Sequence, residues 1–591
     1  MAAAGIFTIV VIVAMLLALA LEVLAPDVIL FVSLSALFLA GVLNPQEAFQ
    51  GFSNQGMLTV GILFIVAFAA QSSGILEIFA ARIMGRGDGI RRPMLRMAVP
   101  TAAFSAFLNN TPIVAMFTPA VRDWAKARGL SPSKFLIPLS YASIFGGICT
   151  LIGTSTNLVV NGLLQQEMNR SLGFFELAWV GIPAAFVGIL YLVLVGHRLL
   201  PDHRGPVEDL MESGREYLVE MEVRAGCPFI GKTVTDAGLR NLQGLFLAEI
   251  FRNEEYLAPV KPTDRLYLGD RLLFTGLVNS IVQLQKIENL IPADEPRLYH
   301  NLRRSGQARI IEAVVSRTSP MLGRTIKEGN FRAHYGAVVL SVHRSGERVR
   351  DKIGNIVLKT GDTLLLLAND DFFKTWNRSR EFYMVSSGTD MPALDRKKSL
   401  ISIFCLAGMV FVAGLGFLSI FKAAILAASI LVLTGTVKPA DARKSIEWNV
   451  LIVIACALGI SKAMDKTGAA SFIAQGLINT VHGLGPLGVL GAVYLITSAM
   501  TEVITNNAAA ALAFPIAISA SSQVGADPMP FVIAVAVGAS AAFSTPFGYQ
   551  TNMIVYGPGS YRFRDFVKVG LPLNFLIMAV AMIVIPMIWK F

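Results

Sequence analysis

The sequence predicts an α-helical polytopic membrane protein with inverted repeats and two re-entrant hairpins, interrupted mid-chain by two small α+β domains. Three observations predict it. The chain of 591 residues is 54% hydrophobic and only 15% charged, far less charge than a soluble chain of this size carries. That charge is concentrated: residues 200–398 hold 29 of the 50 Lys+Arg and 26 of the 40 Asp+Glu, while residues 1–81 contain no Lys or Arg. Finally, polar residues interrupt the apolar segments at matching places in the two halves.

A spanning helix needs about 20 mostly apolar residues. The first half offers segments near 5–24, 28–43, 58–80, 98–121, 134–163 and 175–199. The second offers 398–418, 420–436, 448–464, 485–519, 529–558 and 568–590. The apolar N-terminus lacks a basic n-region and reads as a first membrane helix, not a cleaved signal. In each half the fourth segment carries an Asn pair in its middle, Asn109–Asn110 and Asn506–Asn507. The fifth segments carry polar, Gly-containing breaks, at 153–157 and 548–552.

Basic loops set orientation, because cytoplasmic loops collect Lys and Arg. They follow the third segment (Arg82 to Arg96), the fourth (Arg122 to Lys134), the eighth (Lys438 to Lys444) and the eleventh (Arg562 to Lys568). All can be cytoplasmic only if the fourth segment enters and leaves on one side. That makes 98–121 one re-entrant hairpin and 485–519 its counterpart from outside. The halves 1–199 and 398–591 then have opposite orientation. Offsets support the repeat. Adding 396 to Ser105, Asn109, Asn110 and Pro119 gives Thr501, Thr505, Asn506 and Pro515, and adding 395 to Gly153 and Asn157 gives Gly548 and Asn552.

After a linker at 200–212, the charged insert repeats internally. Pro228, Gly231 and Thr233 recur 92 residues later as Pro320, Gly323 and Thr325. Arg240, Gly244 and Arg252 recur as Arg332, Gly336 and Arg344, and Gly269–Asp270 as Gly361–Asp362. Short β-rich runs flank these turns, so two α+β modules are expected, at 213–287 and 305–377.

Lipid offers no hydrogen bonds, so non-helical backbone at membrane depth must line an enclosed cavity. Helix N-termini there favour an anion, and freed carbonyls with Ser, Thr and Asn oxygens favour a small hard cation. Ser105 precedes Asn109 by one helical turn, so both oxygens can face one ion; Thr501 and Thr505 repeat the spacing. Gly153 and Gly548 can offer backbone carbonyls where a side chain would block approach. Asn110, Thr111, Asn506 and Asn507 can donate to substrate oxygens, and Thr154, Asn157, Thr551 and Asn552 of the breaks join them as substrate-binding candidates. Singly, each small polar residue reads equally as helix packing; doubled, they read as a site. Glu502 has three readings: it tunes a cation site, carries a proton, or faces outward at a hairpin end.

Other classes find little support. No P-loop lysine motif is present, which argues against ATP-driven pumping, and no Thr-Val-Gly-Tyr-Gly filter appears. Cys149, Cys227, Cys405 and Cys456 show no metal-ligand spacing. The formal charge of +10 is explained by basic loops, so no nucleic-acid partner is expected. No catalytic constellation and no metal site beyond sodium is read.

The motifs at 108–112 and 504–508, each followed by a Gly-to-Asn break, resemble the divalent anion/sodium symporter superfamily. That superfamily uses Ser-Asn-Thr at each tip; here the tips read Asn109-Asn110-Thr111 and Thr505-Asn506-Asn507. The insert resembles paired TrkA-C modules of potassium-conductance regulators, as in the superfamily's sulfate-transporter branch. The resemblance implies one sodium site from Ser105, Asn109, Asn110 and Gly153, and another from Thr501, Thr505, Asn506 and Gly548. Substrate would lie between the tips. It also implies an elevator mechanism, homodimers, residence in the plasma (inner) membrane with cytoplasmic inserts, and a small regulatory ligand such as a cyclic dinucleotide. The expected activity is sodium-coupled symport of a divalent anion, sulfate first. The alternatives are di- or tricarboxylate symport, cation/proton antiport, and a ligand sensor that the membrane part only anchors.

Overall fold

The computed structural model describes residues 3–73, 89–203, 218–292, 309–386 and 396–591, apart from residue 22, residues 482–483 and short breaks inside the insert. Among them, six helices are long and apolar enough to cross a membrane: Ala3–Ala20, Pro45–Ser72, Ala178–Leu199, Lys397–Gly414, Trp448–Lys466 and Phe563–Ile588. Large apolar side chains on several of these helices are exposed, Phe404 and Met587 by 78% each, as expected where lipid replaces water. The chain is an integral membrane protein.

Each expected fourth segment is two helices separated by a four-residue break: Arg91–Ser105 with Asn110–Lys126, and Gly485–Thr501 with Asn506–Gln523. Both second arms contain a proline at the same offset, Pro119 and Pro515. Each fifth segment is also broken, into Leu136–Ile148 and Ser155–Met168, and into Pro528–Ser540 and Gln550–Tyr556. Glycines let these elements meet. A Cβ on Gly146 would fall 2.0 Å from the Ala102 carbonyl oxygen in the first arm, so the two helices touch backbone to backbone. The helix Ala469–Thr480 went unpredicted: it is diluted by Gln475 and Asn479, which bond to each other, and it lacks a continuous apolar run.

The insert forms two five-stranded antiparallel sheets. In the first, β1 (Leu218–Val223), β2 (Leu245–Arg252), β3 (Glu255–Leu257), β4 (Arg271–Gly276) and β5 (Leu290–Pro292) lie in the order β3-β2-β4-β1-β5. In the second, β6 (Arg309–Val315), β7 (Ala337–Arg344), β8 (Glu347–Arg348), β9 (Thr363–Ala368) and β10 (Phe382–Ser386) lie in the order β10-β6-β9-β7-β8. Read from the opposite edge, the second order is the first. The last strand of each sheet lies beyond residues 287 and 377, where the sequence suggested the modules end. Motif residues recur in the same roles. The Arg252 guanidinium forks onto Asp270 at 2.7 and 2.7 Å, and Arg344 onto Asp362 at 2.8 and 2.7 Å. Gly269 and Gly361 precede those aspartates at φ 83° and 81°, a region that penalises any side chain.

Among the described residues the second sheet touches the membrane part at several places. Arg122, in the arm Asn110–Lys126, donates to Glu312 of β6. Arg562 pairs with Glu347 at 2.8 Å. Gly361 and Thr363 lie against Met553 and Gly557, at the end of the second broken segment.

Candidate functional site

The four breaks are built from two copies of one hydrogen-bond pattern. At the first tip the helix stops at Ser105 and restarts at Asn110, and Ser105 Oγ bonds the Asn110 side-chain amide at 2.5 Å. At the second it stops at Thr501 and restarts at Asn506, and Thr501 Oγ1 donates to Asn506 Oδ1 at 2.9 Å. In the first broken segment Asn157 Nδ2 donates to the carbonyls of Gly147 (3.1 Å) and Thr150 (2.8 Å). In the second, Asn552 Nδ2 donates to those of Ala542 and Thr545, both at 3.0 Å. The donors lie 10 and 7 residues after their acceptors each time. Thr150 Oγ1 accepts from Gly153 N–H and donates to the Ala106 carbonyl; Thr545 Oγ1 accepts from Gly548 N–H and donates to the Glu502 carbonyl. Unwound backbone leaves polar groups that need partners, and one asparagine and one threonine per break supply them.

Glycine is required at both breaks. A Cβ on Gly153 would lie 2.6 Å from the Gly147 oxygen, and one on Gly548 would lie 2.8 Å from the Thr501 oxygen.

Around Asn110 the oxygens converge. The amide nitrogen faces Ser105 Oγ at 2.5 Å, the Ser143 carbonyl at 3.1 Å and the Gly153 carbonyl at 3.3 Å, sharing its two hydrogens among them, while Oδ1 accepts from Tyr549 Oη at 2.6 Å. At the second tip Thr501 Oγ1 also lies 2.6 Å from the Ala539 carbonyl oxygen, its one hydrogen serving either acceptor, and Ala539 corresponds to Ser143 at the tip offset of 396. Thr505 Oγ1 is buried there without a hydrogen-bond partner among the described residues.

The two repeats cross. Thr111 Oγ1 donates to Gln550 Oε1 at 3.1 Å, joining the first tip to the second break. Ser155 Oγ and Thr156 Oγ1 donate to Asn507 Oδ1 at 3.1 and 3.3 Å, joining the first break to the second tip. Thr111 and Asn507 correspond, as do Gln550 and Ser155, so one contact mirrors the other.

The predicted residues do not all come together. Ser105, Asn110 and Gly153 come together in one cluster, and Thr501 and Asn506 in its counterpart, with Gly548 packed against the end of the Thr501 helix. Asn109 and Ser155 line a cavity with Val60, Phe64 and Met409, outside the oxygen cluster. Asn157 and Asn552 are fully buried and brace their breaks; Asn552 Oδ1 also accepts from Ser140, whereas Asn157 Oδ1 has no partner among the described residues. Thr154 bonds Tyr549 at 3.1 Å, and Thr551 is fully buried.

Sequence reasoning missed Ser143, Thr150, Thr545, Tyr549 and Asn574. Thr150 and Thr545 stand at the 395 offset and were findable. Glu502 does not face outward. Its carboxylate accepts from the Ser544 and Thr545 N–H groups, each at 2.8 Å, and from Asn574 Nδ2 at 2.6 Å, so it fastens the second tip to the second break.

Apolar helices surrounding paired, polar, internally fastened breaks define a membrane transporter, not an enzyme. The chain belongs to the citrate transporter family, which matches residues 11–538, within the superfamily that its tips resemble. It is 36% identical to a putative sulfur deprivation response regulator of Chlamydomonas reinhardtii, over 95% of this chain and 97% of that protein. A probable sodium/sulfate cotransporter 3 of the same alga is 26% identical, over 94% and 85%. The sodium-dependent dicarboxylate transporter SdcS of Staphylococcus saprophyticus is 27% identical over a shorter stretch, 24% of this chain and 28% of that protein.

Proposed function

We propose that the protein is a secondary active symporter that couples a small divalent anion, sulfate first, to sodium. The observation that carries the reading is the convergence of Ser105 Oγ and the Ser143 and Gly153 carbonyls within 2.5–3.3 Å of the Asn110 amide, with a related arrangement at the second tip. Neutral oxygens around one point suit a hard cation. Helix N-termini at Asn110 and Asn506, with Asn109, Thr111 and Asn507 nearby, suit an anion beside it. The named sodium/sulfate and sodium-dependent dicarboxylate relatives favour the same pairing.

On this reading 1–199 and 398–591 form the transport unit, with re-entrant tips at 98–121 and 485–519. Thr154, Asn157, Thr551 and Asn552 shape the substrate side. The tips and broken segments move against the remaining helices as an elevator, in a homodimer of the plasma membrane. The inserted sheets act as cytoplasmic TrkA-C modules that bind a small regulator such as a cyclic dinucleotide.

The second reading is di- or tricarboxylate symport, favoured by the family's description. Cation/proton antiport is less favoured, because the Glu502 carboxylate is occupied as a brace. Uptake of sulfate, succinate, citrate and phosphate into proteoliposomes, with and without a sodium gradient, separates these readings. Sulfate uptake that requires sodium supports the first. Succinate or citrate uptake with no sulfate uptake replaces it by the second, and sodium flux that needs no anion rejects both.

A further inference from the structure

We propose that the second inserted sheet is fixed to the moving unit and travels with it, so that a regulator acting on this sheet acts on the moving elements directly; this rests on the reading that the tips and broken segments move. The two sheets are repeats, yet they differ where the second meets the membrane part. Glu220 of β1 faces Leu273 across the first sheet, and 92 residues later Glu312 of β6 faces Leu365 across the second. Glu220 pairs with Arg271 of its own module at 3.3 Å. At the same offset Arg271 becomes Thr363, so the second sheet has no arginine in that place. Glu312 takes Arg122 of the arm Asn110–Lys126 instead. Thr363 lies against Gly557 so closely that no Cβ would fit there. The glycine turns differ in the same way. A Cβ on Gly269 would meet no described atom within 4 Å, whereas one on Gly361 would lie 2.6 Å from Met553 Cε. Strand β10 runs beside the same arm.

Charge decides whether this contact can open during transport. Arg122 and Glu312 are both buried, and the second Glu312 oxygen has no hydrogen-bond partner among the described residues. Drawing the arm away from a stationary sheet would strand a buried carboxylate on every turnover, which is costly. The exposed pair of Arg562 and Glu347 can exchange with water at little cost and would not hold the sheet by itself. Arg122 belongs to the first repeat, and Met553 and Gly557 belong to the second. One sheet therefore grips the moving elements of both. The short helix Pro439–Ser445, by contrast, packs on Gln55–Ser72, among the helices against which the arm moves.

The test is the distance between spin labels on the full chain in nanodiscs. The labels go on exposed positions: Ala127, which caps the arm, Lys359, in the turn before β9, and Arg443, in Pro439–Ser445. Ala127→Cys, Lys359→Cys and Arg443→Cys are combined in pairs, and the unmodified chain, labelled in parallel, gives the background of the native cysteines. Each pair is measured without sodium, with sodium, and with sodium plus sulfate or succinate. The A127C/R443C distance is expected to shift between conditions as the arm moves. The K359C/R443C distance is expected to shift with it, and the A127C/K359C distance to stay the same. A change in A127C/K359C that accompanies movement of the arm would overturn the inference, because the sheet then stays behind. An A127C/R443C distance fixed in every condition rejects the moving-arm reading itself, and the inference with it. That pair carries no label on the sheet, so the two failures are told apart.

Discussion

Arg122 donates to Glu312 across the boundary between a membrane arm and the second inserted sheet, and both side chains are buried. Ion pairs of this kind are poor evidence for stability but are costly to break from one side, because the remaining charge stays buried. This one joins β6 to the arm that begins at Asn110.

Glu312→Ala is expected to destabilise the protein by about 3–5 kcal/mol, seen as a lower melting temperature in detergent and faster proteolysis of the insert. The apolar double variant R122M/E312L is expected to recover most of that loss. Equal melting of wild type and E312A would show that the pair does not hold the sheet in place.

Asn110→Ala and Asn506→Ala are each expected to reduce uptake to background while membrane expression stays intact. Each removes the side-chain amide on which its tip cluster converges. Radiolabelled uptake normalised to purified protein checks this, and wild-type transport in both variants would remove the site.

Asn157→Ala and Asn552→Ala are expected to act on stability. Each strands two buried carbonyls at roughly 1–3 kcal/mol apiece. N552A is expected to cost more, because Ser140 Oγ, which donates to Asn552 Oδ1 at 2.7 Å, also loses its partner. Thermal unfolding in detergent ranks the two, and a larger loss in N157A would contradict the bonding described.

The two inserted sheets are expected to answer pH with opposite sign. Burial, aided by nearby Glu220, pushes the Glu249 carboxyl up to about 7 from its ordinary 4.5. Its contribution is complete below the ordinary value and is lost as pH rises through about 7. Burial, aided by Arg348, holds His343 down to about 4 from 6.5. Its contribution is complete above 6.5 and is lost as pH falls through about 4. Hydrogen exchange of the full chain, corrected for intrinsic rates, is expected to quicken in β2 between pH 5 and 8 and in β7 below pH 6. Glu249→Gln is expected to abolish the first trend and leave the second.

Much of this was legible in the sequence because repetition amplifies weak signals. One Asn in an apolar segment says little, but Asn110 and Asn506 at the offset that also relates Ser105 to Thr501 say where helices stop and restart. The same holds for Arg252 and Arg344, whose 92-residue spacing marks equivalent places in two sheets. What stayed hidden has no letter of its own or breaks the repeat. The carbonyls of Ser143 and Ala539 belong to the backbone, so no residue type announces them. Tyr549 stands where the first half has threonine, and offset matching discards such a position. Strands as short as Leu290–Pro292 carry too few residues for alternation to show.

Asn157 and Asn552 hold their breaks with bonds made wholly inside the protein. The unwound stretches therefore keep their shape whether or not anything occupies the space between them. An unloaded carrier must travel back as often as a loaded one travels forward, and a pocket that collapsed when empty would have to be rebuilt on every cycle. Here the return leg needs no refolding.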